Sequence, residues 1–228
     1  LYNGALAGIS LDGKKFFYTN TLRQVRDLPF ELRWSRQREP YISCFCCPPN
    51  IVRLIAQVGN YAYSLTDDGV CVTLYGSNVL DTILGNGSPV RLIQETEYPW
   101  NGNIMITVRV PKPKEFSLLL RIPGWTDKAA ARVNGKSVQP APTPGTYATL
   151  RRTWADRDTI ELDLATPIRL MEAHPLVEEL ANQVAIQRGP ITYCLESSDL
   201  PAGVRVPEIV IPRDIRLRAQ SESHFLNG

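Results

Sequence analysis

The sequence predicts a mainly β chain, with antiparallel β-sandwich domains preceded by one hairpin and one helix. Three observations carry that prediction. From residue 63 onward the chain runs in short strand-like segments with turn chemistry every ~8 to 12 residues, the spacing of a sandwich. One stretch, "NIVRLIAQVGNYAY", instead places apolar residues at helical spacing. Near residue 168 the strand pattern resets, as at the start of a second β unit.

The elements follow in order. "GISLDGKKFFYTN" reads as a hairpin around Asp12-Gly13. Ile51, Leu54, Ile55, Val58 and Ala62 mark one face of an amphipathic helix beginning just after Pro48-Pro49, with Asn50 able to cap it. One good helix in an otherwise β chain looks like the last helix of something larger upstream. "YAYSL" and "VCVTLYG" flank the turn signal Thr66-Asp67-Asp68-Gly69. "VRLIQETEY" and "NIMITVRV" flank Pro99-Trp100-Asn101-Gly102, where Asn-Gly suits a type I′ turn because both central residues need positive φ. "FSLLLRIP", then "AARV" and "KSV" around Asn134-Gly135, then "YATLRRTW" and "TIELDLATPIRLM" continue the pattern. Beyond them "HPLVEELANQ" is polar with some helical character, and "VAIQRGPITYCLE" and "VPEIVIP" read as strands. The expected organisation is 1–62, 63–168 and a truncated 169–228.

Composition narrows the function classes. The chain has 228 residues, 43% hydrophobic and 21% charged, as in a soluble globular protein. No apolar run reaches the ~18 residues of a membrane span. The net charge is +2 with bases and acids interspersed, so no basic stripe points to nucleic acid. The opening at Leu1 and the closing Asn227-Gly228 turn both look cut. The five cysteines are an odd count and badly spread for a disulfide framework, which favours a reducing, cytoplasmic compartment. Cys71 and Cys194 stand alone in strand-like runs and read as small buried hydrophobes.

The chemistry concentrates in "SCFCCPPN", residues 43 to 50. A structural zinc site needs four ligands, usually from two separated cysteine pairs, and the second pair is missing here. His174 and His224 are distant and read as surface or loop residues, and Glu39 as a loop charge. Cys44-Phe45-Cys46-Cys47 is formally a C-x-x-C, without the βαβ context of a redox site. A third reading is an activated nucleophile, since a thiolate is favoured at a helix N-terminus or beside a metal. Residue types and spacing leave these readings open beside that of an inert loop.

"CFCCPPN" followed by "IVRLIAQVGNYAYSLTDDGVCVTLYGSN" closely resembles the C-terminal portion of the β-L-arabinofuranosidase family, glycoside hydrolase family 127. The resemblance continues through "ETEYPWNGNIMITV", "LLLRIPGW", "TWADRDTIELDL", "PIRLMEAHP" and "VAIQRGPITYCLE". It implies the last hairpin and helix of an (α/α)6-barrel catalytic domain, followed by β-sandwiches. It implies Cys46 as the nucleophile, Cys46 and Cys47 as zinc ligands, and Cys44 beside the cluster. The reaction implied is retaining hydrolysis through a thioglycosyl intermediate. The family's remaining zinc ligands, a Glu-x-Cys pair, and its acid/base glutamate would lie upstream. The implied partner is an arabinose-containing oligosaccharide or glycan, with no nucleic acid and no membrane; the oligomeric state stays open, a homodimer being one option. The rival reading is a non-catalytic carbohydrate-binding or packing module, in which Trp100, Trp125 or Trp154 either stacks on sugar or seals the sandwich. A related hydrolase for another sugar is the third.

Overall fold

The structure, a computed structural model, describes residues 1–18, 33, 35–42 and 46–220. The chain divides into two compact units, Gln57–Pro167 and a second that joins Leu1–Ala56 to Ile168–Gly228.

The first unit is the sandwich. Its strands are β1 (Tyr63–Thr66), β2 (Gly69–Val72), β3 (Asn78–Ile83), β4 (Pro89–Thr96) and β5 (Asn103–Arg109), then β6 (Lys114–Arg121), β7 (Ala129–Val133), β8 (Lys136–Ser137), β9 (Tyr147–Trp154) and β10 (Thr159–Leu164). One sheet has the order β1-β2-β6-β9 and the other β3-β4-β5-β10-β7-β8. The pairings are antiparallel apart from β2 with β6, which run parallel. Alternation puts every second side chain inward. Leu92, Ile106 and Ile160 of one sheet share a core with Val70, Leu118 and Leu120 of the other, all at 0% exposure. Each such burial contributes ~2 kcal/mol. Trp154 is also fully buried, its indole N–H donating to the Phe116 carbonyl at 3.0 Å.

Two turns show why Asn-Gly has more than one use. Asn134 and Gly135 take φ of 50° and 75°, giving the expected left-handed pair between β7 and β8. Asn101 and Gly102 do not adopt positive φ. There the Asn101 side chain accepts from the Asn103 N–H at 3.0 Å and donates to Glu97 at 2.7 Å. Gly102 is required for another reason: a Cβ on it would stand 1.8 Å from the Leu164 carbonyl oxygen.

The second unit carries α1 (Cys47–Gln57), which ends at its border, and an antiparallel sheet of β11 (Ile168–Glu172), β12 (Val184–Arg188) and β13 (Ile191–Tyr193). The expected hairpin near Asp12 is present, with an Ile9–Phe16 bridge, Gly13 at φ 70° and the Ser10 hydroxyl donating to Asp12 at 2.6 Å. Phe16 is bridged in turn to Glu39. The run "TIELDLATPIRLM" is broken into β10 and β11 around Pro167, which has no N–H for a ladder. "VPEIVIP" is not a strand. Pro207 and Pro212 each lack a ladder donor, and Val206–Glu208 forms a 3-10 turn closed by the Arg205–Glu208 pair. In "HPLVEELANQ" the helical content is one 3-10 turn, Glu178–Leu180. Among the described residues no helix is long and apolar enough to cross a membrane.

Candidate active site

The helix α1 begins earlier than its apolar pattern indicates. The Asn50 N–H donates to the Cys46 carbonyl at 3.2 Å, which makes Cys46 the capping residue and Cys47 the first helical one. Asn50 therefore lies in the first turn and does not cap it. Proline fits this turn because its φ is already helical and the N–H it lacks would have no partner. The same prolines remove two of the backbone donors that a helix start ordinarily offers an anion.

At this start the Cys46 and Cys47 sulfurs are 3.2 Å apart, in a hydrogen-bonding contact and not a disulfide. Cys46 is exposed and Cys47 half-buried. Two thiols so placed can share a proton or hold one soft cation between them. Zinc–sulfur bonds of ~2.3 Å at a tetrahedral angle put two sulfurs roughly 3.8 Å apart, so a small side-chain rotation would suit this pair to a zinc ion. The donor chemistry fits, and it supplies two ligands of four. Among the described residues no group of three or more His, Cys, Asp and Glu is placed to hold a metal.

The other residues singled out in the sequence do not converge on this point. Cys44 and His224 lie outside the described residues. His174 is exposed, its Nδ1 accepting from the Leu176 N–H at 3.3 Å. Glu39 pairs through its backbone with Phe16. Cys71 is half-buried on β2. Cys194, expected inside, is exposed just past β13, where partial desolvation and the neighbouring Glu196 push its thiol pKa up. Of the tryptophans, Trp154 is core, Trp125 is half-buried with its ring 6.4 Å from that of Tyr98, and Trp100 is 64% exposed. An open groove on the sandwich is lined by Asp81, Arg91, Arg109 and Asp156. Its arginines are already ion-paired, Arg91 to Asp81 at 3.5 Å and Arg109 to Asp156 at 2.7 Å.

Residues that no sequence motif marks tie the α1 unit together. Arg38 donates to both Glu196 oxygens, at 2.8 and 2.6 Å, and to the Ala7 carbonyl at 2.8 Å. The hydrogen bond holds the Glu196 carboxyl below the usual carboxylate range and pushes the guanidinium pKa up. Asn3 bonds the β12–β13 turn at the Pro190 carbonyl and the Thr192 N–H, both at 3.0 Å.

The chain matches three family profiles in succession: "Beta-L-arabinofuranosidase, GH127 catalytic domain" over residues 1–60, "Beta-L-arabinofuranosidase, GH127 middle domain" over 69–166, and "Glycoside hydrolase family 127 C-terminal domain" over 168–223. It is 35% identical over 208 residues to a non-reducing end β-L-arabinofuranosidase of Bifidobacterium longum subsp. longum, covering 88% of this chain and 31% of that protein. The crystal structure of Ara127N-Se, a GH127 β-L-arabinofuranosidase from Geobacillus stearothermophilus T6, superposes with a TM-score of 0.88 at 41% identity, over 99% of this chain and 35% of that one. A solved glycoside hydrolase superposes with a TM-score of 0.86 at 50% identity, over 93% of this chain and 35% of that one. The chain spans about a third of the length of these relatives. The expected placement as a C-terminal portion is corrected here. The matched profiles are those of the catalytic, middle and C-terminal domains in turn, and only 168–223 match the last. The name Ara127N, borne by the structure matched over 99% of the chain, gives a C-terminal label no support.

Proposed function

The chain belongs to glycoside hydrolase family 127, and from that premise we propose that the intact protein is a retaining glycosidase acting on a β-L-arabinofuranoside, with Cys46 as its nucleophile. One observation carries the residue assignment: the exposed Cys46 sulfur lies 3.2 Å from that of Cys47 at the mouth of α1. In the first step the Cys46 sulfur bonds to the anomeric carbon as the glycosidic C–O bond breaks. The leaving oxygen takes a proton from an acid outside this chain. Water then attacks the same carbon, the C–S bond breaks, and the sugar and the thiolate are released.

Cys46 and Cys47 would hold a zinc ion with two further ligands from outside the chain, and the bound metal supplies the charge that keeps thiols deprotonated at neutral pH. The prolines at the second and third helical positions support this reading, since with their N–H groups gone the helix start offers a thiolate few donors. Cys47 both shares the charge and fixes where the Cys46 sulfur sits. The thiols of Cys47, Cys71 and Cys194, none in a disulfide, suit a reducing compartment such as the cytoplasm. The substrate class that follows is an arabinose-containing oligosaccharide or glycan.

The experiment is Cys46→Ala in the full-length protein, assayed on an aryl β-L-arabinofuranoside alongside zinc quantification. Turnover should fall by ~10³-fold or more, as when a nucleophile is deleted from a catalytic unit. Turnover near that of the parent would end the assignment. A second reading, a sugar-binding module, rests on Trp100 and its 64% exposure. Calorimetry with arabino-oligosaccharides would support it if binding were lost in Trp100→Ala and kept in Cys46→Ala.

A further inference from the structure

Two polar clamps join the stretch that carries Cys46 to the segment around β13. The Arg38 guanidinium grips Glu196 through both terminal nitrogens across 158 positions of sequence. Its Nη2 also holds the Ala7 carbonyl, and its carbon lies 4.5 Å from the centre of the Phe17 ring. The Asn3 amide does for the β12–β13 turn what a neighbouring strand would do, donating to Pro190 and accepting from Thr192.

Arg38 is connected to α1 by a series of contacts. Beside it in the chain, Glu39 is bridged to Phe16 and Ile42 is buried. Through packing, the Ala7 carbonyl that Arg38 holds belongs to the peptide shared with Gly8, which is buried and accepts from the Phe17 N–H at 2.9 Å. A Cβ at Gly8 would stand 3.6 Å from Ile51 Cδ1. Ile51 is one helical turn along α1 from Cys47, on the same face. Displacing Arg38 thus disturbs the surface against which Ile51 of α1 packs.

We propose that Arg38, gripped by Glu196, is a positioning residue that sets the seat of α1 and thereby the direction of the Cys46 and Cys47 sulfurs. The proposal rests on the reading of Cys46 as nucleophile. It adds a role for the segment matched by the C-terminal domain profile, which holds the helix start from a distance. Arginine suits this work because its planar fork engages a carboxylate at two points and fixes angle as well as distance. Its Nε is buried with no hydrogen-bond partner among the described residues, so Glu196 and the Ala7 carbonyl stand as the compensation of a part-buried cation. Removing Glu196 leaves that cation stranded.

The test uses the full-length protein with Glu196→Gln, Arg38→Met, the double variant and Arg205→Met, the last breaking an exposed pair with Glu208 in the same unit. Three quantities are read: the rate of Cys46 alkylation by iodoacetamide from peptide mapping, kcat against KM, and the unfolding midpoint. Glu196→Gln and Arg38→Met should each change the alkylation rate about threefold or more and lower kcat about tenfold with KM little altered, the signature of a misplaced reacting atom. The double variant should be no worse than the worse single one, because both remove one interaction. Arg205→Met should match the parent throughout. Folded single variants with parental alkylation and kcat overturn the proposal. If Arg38→Met does not fold, Glu196→Gln decides, since it keeps the shape and one acceptor; if neither folds, the pair is merely structural and the proposal falls. Failure of the nucleophile reading shows separately, as turnover surviving Cys46→Ala, and the alkylation rates then judge the clamp by themselves.

Discussion

Residues 57–167 and the unit that carries α1 are held together by opposite means. In the sandwich, neighbouring strands pair along most of their length and a dry core of fully buried aliphatics and Trp154 joins the sheets. In the other unit α1 has no buried residue, with Val52 and Ile55 at 59% and 43% exposure. Polar clamps from Asn3 and Arg38 span its two distant stretches. Cys46 and Cys47 therefore lie in the unit whose two stretches are tied by directional contacts. The sandwich draws on non-directional burial for its stability.

That contrast can be broken by mutation. The largest effect should come from Trp154→Ala, which empties a fully buried site and removes the indole bond to the Phe116 carbonyl; a loss of about 3–5 kcal/mol in chemical denaturation is expected. Cys46 alkylation should stay at the parental rate under native conditions, and a change there would show that the sandwich does shape the site. Next comes Gly69→Ala. Its Cβ would stand 2.1 Å from the Ser117 carbonyl oxygen, so the parallel β2–β6 pair must open, at a cost of about 1–3 kcal/mol by the same measurement.

A pH series sharpens the other side. Glu196 has its carboxyl lowered by the Arg38 hydrogen bond, so the folded state binds its proton less readily than the unfolded one. The clamp's contribution is present above the ordinary glutamate pKa of about 4.3 and is lost as pH falls through the depressed folded value. The difference in unfolding midpoint between the parent and Glu196→Gln should hold near neutrality and close in acid. A difference that grows on acidification would contradict the assignment. The smallest effect belongs to Trp100→Ala. At 64% exposure it should stay within about 0.5 kcal/mol of the parent in denaturant titration.

What the amino-acid pattern revealed follows the same divide. Alternation and turn residues locate the hairpins at Asp67-Asp68 and Asn134-Gly135, because both signals are local. The β2–β6 pair is parallel for a reason local chemistry does not express, and the purpose of Gly102 appears only once Leu164 lies against it. "VPEIVIP" has the apolarity of a strand, yet its prolines deny it a ladder. At the site, the thiol pair and the helix behind it are legible in "CCPPN" and the helical spacing after it. Asn50 as cap is not, because the paired prolines start the helix earlier. The Arg38–Glu196 and Asn3–Thr192 contacts, 158 and 189 positions apart, carry no motif and no periodicity.

The most direct test of Cys46 as nucleophile is to trap the sugar on it. The full-length protein would be acid-quenched during turnover of a β-L-arabinofuranoside whose release from the enzyme is slow, and its peptides mapped by mass. A single pentosyl adduct on the peptide bearing Cys46, absent in Cys46→Ala, is the predicted result. A pentosyl adduct on any other side chain would contradict it.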